Sequence, residues 1–181
     1  MDLPEKIENL SLNNAQNSTQ TKREGYIGWK EYFMAIAFLA AKRSKDPSYQ
    51  VGACVVNKEN KILGIGYNGF PIGCKDDDFP WGKNTPSPLD SKFLYVCHAE
   101  MNAILNKNSA DLNNCTIYVS LFPCNECAKI IIQSGIREVV YLSDEKAHKP
   151  MYIASKKMFD AAGVNYWQFI PKNDTIVIKF T

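Results

Sequence analysis

Cys97-His98-Ala99-Glu100 and Pro123-Cys124-Asn125-Glu126-Cys127 are the two stretches of this chain whose residue types could do chemistry together. Cys124 and Cys127 stand at i and i+3. In the first turn of a helix that spacing puts both thiols on one face, where the positive helix end favours them as thiolates. Two thiolates balance the charge of Zn²⁺, a neutral His98 completes three ligands, and three protein ligands leave the fourth tetrahedral position to water. An open position marks a catalytic rather than a structural zinc, which lowers the pKa of that water to near 7. Glu100, two residues beyond His98, is well placed to carry its proton. The expected metal ligands are therefore His98, Cys124 and Cys127, with Glu100 as the catalytic acid and base.

Each residue alone has a plainer reading. A single Cys-x-x-Cys is also half of a structural zinc site or a redox pair, and a lone histidine is more often structural than ligating. Cys97 could replace His98 as a ligand, though the placement of Glu100 favours His98. What decides is the combination: His-x-Glu followed by Pro-Cys-x-x-Cys is the pattern of zinc nucleobase deaminases, and it occurs here complete and in order. Cys54, Cys97 and Cys115 read as core residues, His148 as a surface residue, and Cys74, in a long loop, as a candidate ligand of a second metal. Gly64-Ile65-Gly66-Tyr67-Asn68-Gly69 is literally G-x-G-x-x-G. Pro71 and Gly73 forbid the helix that would have to follow it, so dinucleotide binding is rejected.

The elements that must hold these residues follow from periodicity. Trp29, Tyr32, Phe33, Ile36, Ala37 and Ala40 recur at helical spacing until Ser44, Asp46 and Pro47. Residues 51–57 and 61–67 read as an antiparallel hairpin. The segment 69–95 has no sustained period and an acidic run at Asp76, Asp77 and Asp78; a loop of that length is functional or disordered. Helices are then expected at 98–106, 123–134 and 152–162, alternating with strands at 116–120, 138–142 and 166–170. That order implies crossover connections and an α/β sheet with helices on both faces. Thr175–Phe180 alternates again, which predicts a terminal edge strand. Residues 1–24, rich in Asn, Gln, Ser and Thr, read as a disordered or weakly held arm, and 25–181 as a single domain.

At 181 residues with 45% hydrophobic and 22% charged side chains, the composition is that of a globular protein with a sizeable core. A net charge of +2 advertises no polynucleotide surface. No apolar run is long enough to span a bilayer, so no membrane is expected and the cytoplasm is the expected compartment. Six cysteines in such a chain point to metal or core roles before disulfides.

Several stretches together resemble the zinc-dependent cytidine and deoxycytidylate deaminase family, in its eukaryotic deoxycytidylate branch. They are Trp29-x-Glu31-Tyr32-Phe33-Met34-Ala35, Arg43 to Pro47, Gln50 to Cys54, Gly64 to Gly69, Cys97 to Ile104 and Leu121 to Lys129. The resemblance covers roughly 29–180. It implies a three-layer α/β/α fold with a mixed five-stranded sheet, zinc-dependent deamination of dCMP to dUMP for thymidylate synthesis, and a homohexamer. It also implies activation by dCTP and inhibition by dTTP, each with Mg²⁺. By the same resemblance His98, Cys124 and Cys127 fall on the zinc ligands and Glu100 on the proton shuttle. Asn68 and Ala99 fall on substrate contacts, and Arg43, Ser44 and Lys45, before the first strand, are candidates for the substrate phosphate. Residues 145–150 depart from the acidic, His-containing stretch expected there. Rival readings are the same chemistry on nucleic acid, a free nucleoside or a triphosphate, and a zinc-stabilised binding subunit; Glu100 speaks against the last.

Overall fold

The computed structural model describes residues 21–180, so most of the polar arm expected over 1–24 lies outside the described residues. Helix α1 (Trp29–Ala41) is followed by strands β1 (Gly52–Val56) and β2 (Ile62–Tyr67). After a long connection come α2 (Ala99–Leu105), β3 (Thr116–Leu121), α3 (Asn125–Gln133), β4 (Glu138–Ser143), α4 (Pro150–Ala162) and β5 (Asn165–Gln168). The strands form one sheet in the order β2-β1-β3-β4-β5. β1 runs antiparallel to both β2 and β3, while β3, β4 and β5 are parallel, so the sheet is mixed as expected.

Side-chain alternation along the central strands sorts the core into two layers. Ala53 and Val55, Ile117 and Val119, and Val139 and Tyr141 face α2, α3 and α4. Cys54, Val56, Tyr118 and Val140 face α1 through Phe33, Met34 and Ala37. Both faces of the central strands are covered, which gives the three layers and explains why β1 is buried along its whole length. Cys54 and Cys115 are buried, as expected; Cys97 and Cys74 are half-buried.

Two of the glycines in and near the rejected dinucleotide motif are there for packing. A Cβ on Gly66 would stand 2.2 Å from the Ala103 nitrogen and 2.3 Å from the Ala99 carbonyl oxygen, so β2 lies directly on the backbone of α2. On the opposite face a Cβ on Gly52 would meet the Ala37 carbonyl at 1.8 Å. Asn102 completes the first contact by donating to the Tyr67 carbonyl at 2.7 Å. The strand that ends at Tyr67, just before Asn68, is thereby fixed against the helix that begins after His98.

The connection from 69 to 97 is ordered. Gly69 and Cys97 pair through two backbone hydrogen bonds of 2.8 and 3.1 Å, closing its ends. Phe70, Phe79, Trp81 and Tyr95 pack ring against ring inside it, and short 3₁₀ turns at Pro88–Asp90 and Lys92–Leu94 lead back to α2. One expectation fails: Thr175–Phe180 forms no strand. Pro171, which has no N–H to donate, and the bends at 172–174 carry the chain away from β5 and alongside α1, where Thr175, Ile176 and Ile178 line a groove of about 520 Å³ with Phe38 and Leu39.

Candidate active site

Two helix starts face one another on the same side of the sheet. His98 is the residue before α2 and Cys124 the residue before α3, both in extended backbone, and Cys127 lies in the first turn of α3. The His98 Nδ1 atom is 3.4 Å from the Cys124 Sγ and 3.3 Å from the Cys127 Sγ. All three ligand atoms lie within 4.8 Å of one another. Nitrogen and sulfur bound to one tetrahedral zinc stand about 3.5 Å apart, so this donor set has the chemistry and the spacing of a zinc site. Cys124 and Cys127 are buried, while His98 reaches the surface at the open side.

The electrostatics of the group match that role. The Cys124 thiol is pulled down to about 4 by hydrogen bonds from Cys127 and His98 and by the His98 charge, against the opposing effect of burial. The His98 imidazole is correspondingly raised to about 9, chiefly by its hydrogen bond to Cys124. Cys127 moves the other way, held up by its hydrogen bond to Cys124 and by burial. Glu100, 4% exposed beneath the group, is raised above the ordinary carboxylate value, mainly by burial. A carboxyl so placed holds a proton at pH values where an exposed glutamate has lost it, which suits a proton carrier.

The remaining expected residues take different places. Ala99 is fully buried in the first turn of α2, between His98 and Glu100. Asn68 is beside the group through Gly69 and Cys97, but its side chain is engaged within the protein. Its Oδ1 accepts from the Val51 amide at 2.9 Å, and its Nδ2 donates to the Tyr49 carbonyl at 2.9 Å and to Asp46 at 3.3 Å. The Ser44 hydroxyl donates to the Asn68 carbonyl at 2.9 Å. Lys45 points to Asp76 and, with Arg43, lines a groove of about 240 Å³ whose walls include none of His98, Glu100, Cys124 or Cys127. His148 is exposed, as expected.

Sequence reasoning passed over a buried ion pair behind Asn68. Asp46 and Lys92 are 3% and 4% exposed and pair with each other. Asp46 also accepts from the amides of Ser48 and Tyr49 at 2.8 and 3.1 Å. The sole cue was Asp46 before Pro47, which reads equally well as a helix stop. Tyr152, buried beside the sulfurs and Glu100 and with its hydroxyl pushed up by burial, was also missed.

A histidine and a Cys-x-x-Cys pair converging from two helix starts, with a buried glutamate behind them, define the site of a zinc-dependent hydrolytic deaminase. Residues 27–143 match the cytidine and deoxycytidylate deaminase zinc-binding region. The deoxycytidylate deaminase of Pongo abelii is 59% identical over 159 residues, 88% of this chain and 89% of that protein. The Homo sapiens deoxycytidylate deaminase is 58% identical over the same shares. Among solved structures, the dCMP deaminase of the cyanophage S-TIM5 in complex with dCMP and dUMP superposes with a TM-score of 0.60 at 28% identity, covering 77% of this chain and 96% of that one. The chain belongs to the cytidine and deoxycytidylate deaminase family and is an enzyme, a deaminase.

Proposed function

We propose that this deaminase converts dCMP and water to dUMP and ammonia, with zinc held by His98, Cys124 and Cys127. The observation that carries the reading is the approach of both sulfurs to His98 Nδ1 at 3.3 to 3.4 Å beside buried Glu100. The activity printed for the similar deoxycytidylate deaminases supports the substrate. When bound, zinc supplies a Lewis acid that makes water acidic near neutral pH. Glu100 accepts one proton from water and delivers it to ring N3 as oxygen bonds to C4, then takes the second proton from that oxygen and gives it to the amino group, whose bond to C4 breaks as ammonia leaves and the C4 carbonyl forms. Burial suits Glu100 to both halves of that cycle, because it brings the acid and base forms closer in energy near neutral pH. The buried Ala99 backbone lies between the ligand and the shuttle, where it can contact the base.

Asn68 acts in this reading as a positioning residue, holding Tyr49 and the β2 end beside the site. The wider reading is a single domain over 25–181 that works as a homohexamer in the cytoplasm, supplies dUMP for thymidylate, and is activated by dCTP and inhibited by dTTP, each with Mg²⁺. The groove lined by Arg43, Lys45, Tyr67 and Gly69 beside Asp76 suits a triphosphate, and two nucleotides of opposite effect require two states of the assembly. Among the described residues no helix is long and apolar enough to cross a membrane.

The test is a substrate panel of dCMP, CMP, deoxycytidine, dCTP and single-stranded DNA, read by release of ammonia, with metal analysis of the same protein. Turnover fastest on dCMP with about one zinc per chain is expected. Faster turnover of deoxycytidine or DNA would move the substrate, and full turnover without zinc would remove the metal.

A further inference from the structure

On Tyr49, whose carbonyl Asn68 holds, stands an arrangement that the reaction described so far does not use. The Lys83 ammonium lies 4.2 Å from the centre of the Tyr49 ring and the Lys146 ammonium 3.6 Å from it. Two like charges have thus been drawn to one aromatic ring. Among the described residues neither is in an ion pair; the four such pairs use Lys45, Lys92, Lys129 and Lys156 instead. Both lysines are half-buried, so water only partly offsets their repulsion.

The ring is fixed, and fixed next to the site. Asp46 holds the Tyr49 amide and Asn68 holds its carbonyl. The residue after Asn68 is Gly69, which pairs with Cys97, the neighbour of His98. Lys146 arrives from the other side. β4 ends at Ser143, whose carbonyl accepts from the Phe122 amide at 2.8 Å, two residues before Cys124. The lysines therefore stand where the chain segments leading to His98 and to Cys124 meet.

We propose that Lys83 and Lys146, gathered on Tyr49, form the subsite that takes the 5′-phosphate of the mononucleotide whose base is deaminated. The proposal rests on the dCMP reading above and names the residues that make the site select a monophosphate. A phosphate monoester carries close to two negative charges at neutral pH, and two unpaired ammoniums are its complement. The Lys146 ammonium is also held below the ordinary lysine value, by burial first and then by the charges of Lys149, Lys83 and Lys92, with Glu145 opposing. A bound dianion would offset both by pairing with the ammonium. Lys45, by contrast, already has Asp76 and stands in the other groove.

The experiment compares K83Q, K146Q and K45Q with wild type, using dCMP against deoxycytidine for kcat/KM and dUMP against deoxyuridine for binding by calorimetry. In K83Q and K146Q, kcat/KM for dCMP and affinity for dUMP should each fall roughly ten- to a hundredfold, the range of a charge-assisted hydrogen bond. Deoxycytidine turnover and deoxyuridine binding should change less than about twofold, with zinc content retained and K146R restoring most of the loss. Equal losses on the nucleotide and the nucleoside would make the lysines supports of the metal group and overturn the proposal. So would loss in K45Q alone, or tighter binding of a deoxyuridine-containing oligonucleotide than of dUMP. Wild type that neither turns over dCMP nor binds dUMP would instead remove the substrate reading, and this subsite with it.

Discussion

His98, Glu100, Cys124 and Cys127 come from two helix starts, with Cys124 and Cys127 26 and 29 positions from His98. Asp46, Asn68 and Lys92 come from three separate loops, Asn68 lying 22 and Lys92 46 positions from Asp46. Both groups are polar and, apart from His98, buried, and the bridge from Gly69 to Cys97 joins them. The first keeps unusual proton affinities: a thiol pulled down, a carboxyl pushed up. In the second every side-chain oxygen and nitrogen meets a partner, and its one resolved departure, at Asp46, is downward. Under the function proposed above, the difference separates a site that changes protonation during turnover from a frame that does not.

The largest expected effect falls on the first group. Cys124→Ala or Cys127→Ala should abolish both zinc and turnover, and melting should come earlier, because metal binding is coupled to the folding of the segments that hold it. Metal analysis and thermal unfolding on the same samples check this. A variant that kept an equivalent of zinc and more than about a tenth of the activity would mean that the three donors do not form one site. Next comes Glu100→Gln, which keeps the shape of the side chain but carries no proton. Turnover should fall about 10² to 10⁴-fold, roughly 3 to 5 kcal/mol in barrier, with zinc retained.

The frame should fail differently. Lys92→Met leaves Asp46 buried without its cation, a change that typically costs about 3 to 5 kcal/mol of stability. In the native protein burial pushes Asp46 up, but hydrogen bonds from Lys92 and from the Ser48 and Tyr49 amides outweigh it and hold the carboxyl below its ordinary value. Stability from Asp46 is therefore present at neutral pH and is lost only as pH falls below the ordinary carboxylate range. Without Lys92 the burial effect dominates and the carboxyl rises. The penalty should then be largest near pH 7 and shrink as acid neutralises Asp46, as urea unfolding at pH 7 and pH 5 would show. A penalty independent of pH would mean that Lys92 acts by packing alone.

The two groups were also unequally legible in the sequence. The metal group has residue types with few other uses, at spacings that helix geometry turns into one face, so His98, Cys124 and Cys127 stood out before any strand was placed. The sheet followed from alternation, since Ala53, Val55, Ile117 and Val119 point one way and Cys54, Val56 and Tyr118 the other. Asp46, Lys92, Lys83, Lys146 and Tyr49 carry no such mark. Asp and Lys are usually solvated; the closing of the 69–97 connection brings Lys92 and Lys83 to Asp46 and Tyr49, and Lys146 reaches the same ring from beyond β4. Thr175–Phe180 misled for the converse reason: its alternation is that of a strand, yet the bends at 172–174 take it to α1 instead of the sheet edge.

Ser44 gives the smallest expected effect and the sharpest test of where frame ends and site begins. Its residue type and its place before Lys45 suggest a phosphate contact, whereas its hydroxyl donates to the Asn68 carbonyl and accepts from the Asp46 amide at 3.3 Å. A hydroxyl so used is a fastener. Ser44→Ala should remove about 1 kcal/mol of stability, a shift of roughly 2 to 4 °C in Tm for a chain of this size. KM for dCMP should stay within about twofold of wild type, because the Tyr49 platform is held independently by Asp46 and Asn68. A rise in KM for dCMP with deoxycytidine unaffected and Tm unchanged would put Ser44 on the phosphate after all. The boundary would then run through Ser44 itself, with the 43–45 segment belonging to the site and Asp46, Asn68 and Lys92 alone making up the frame.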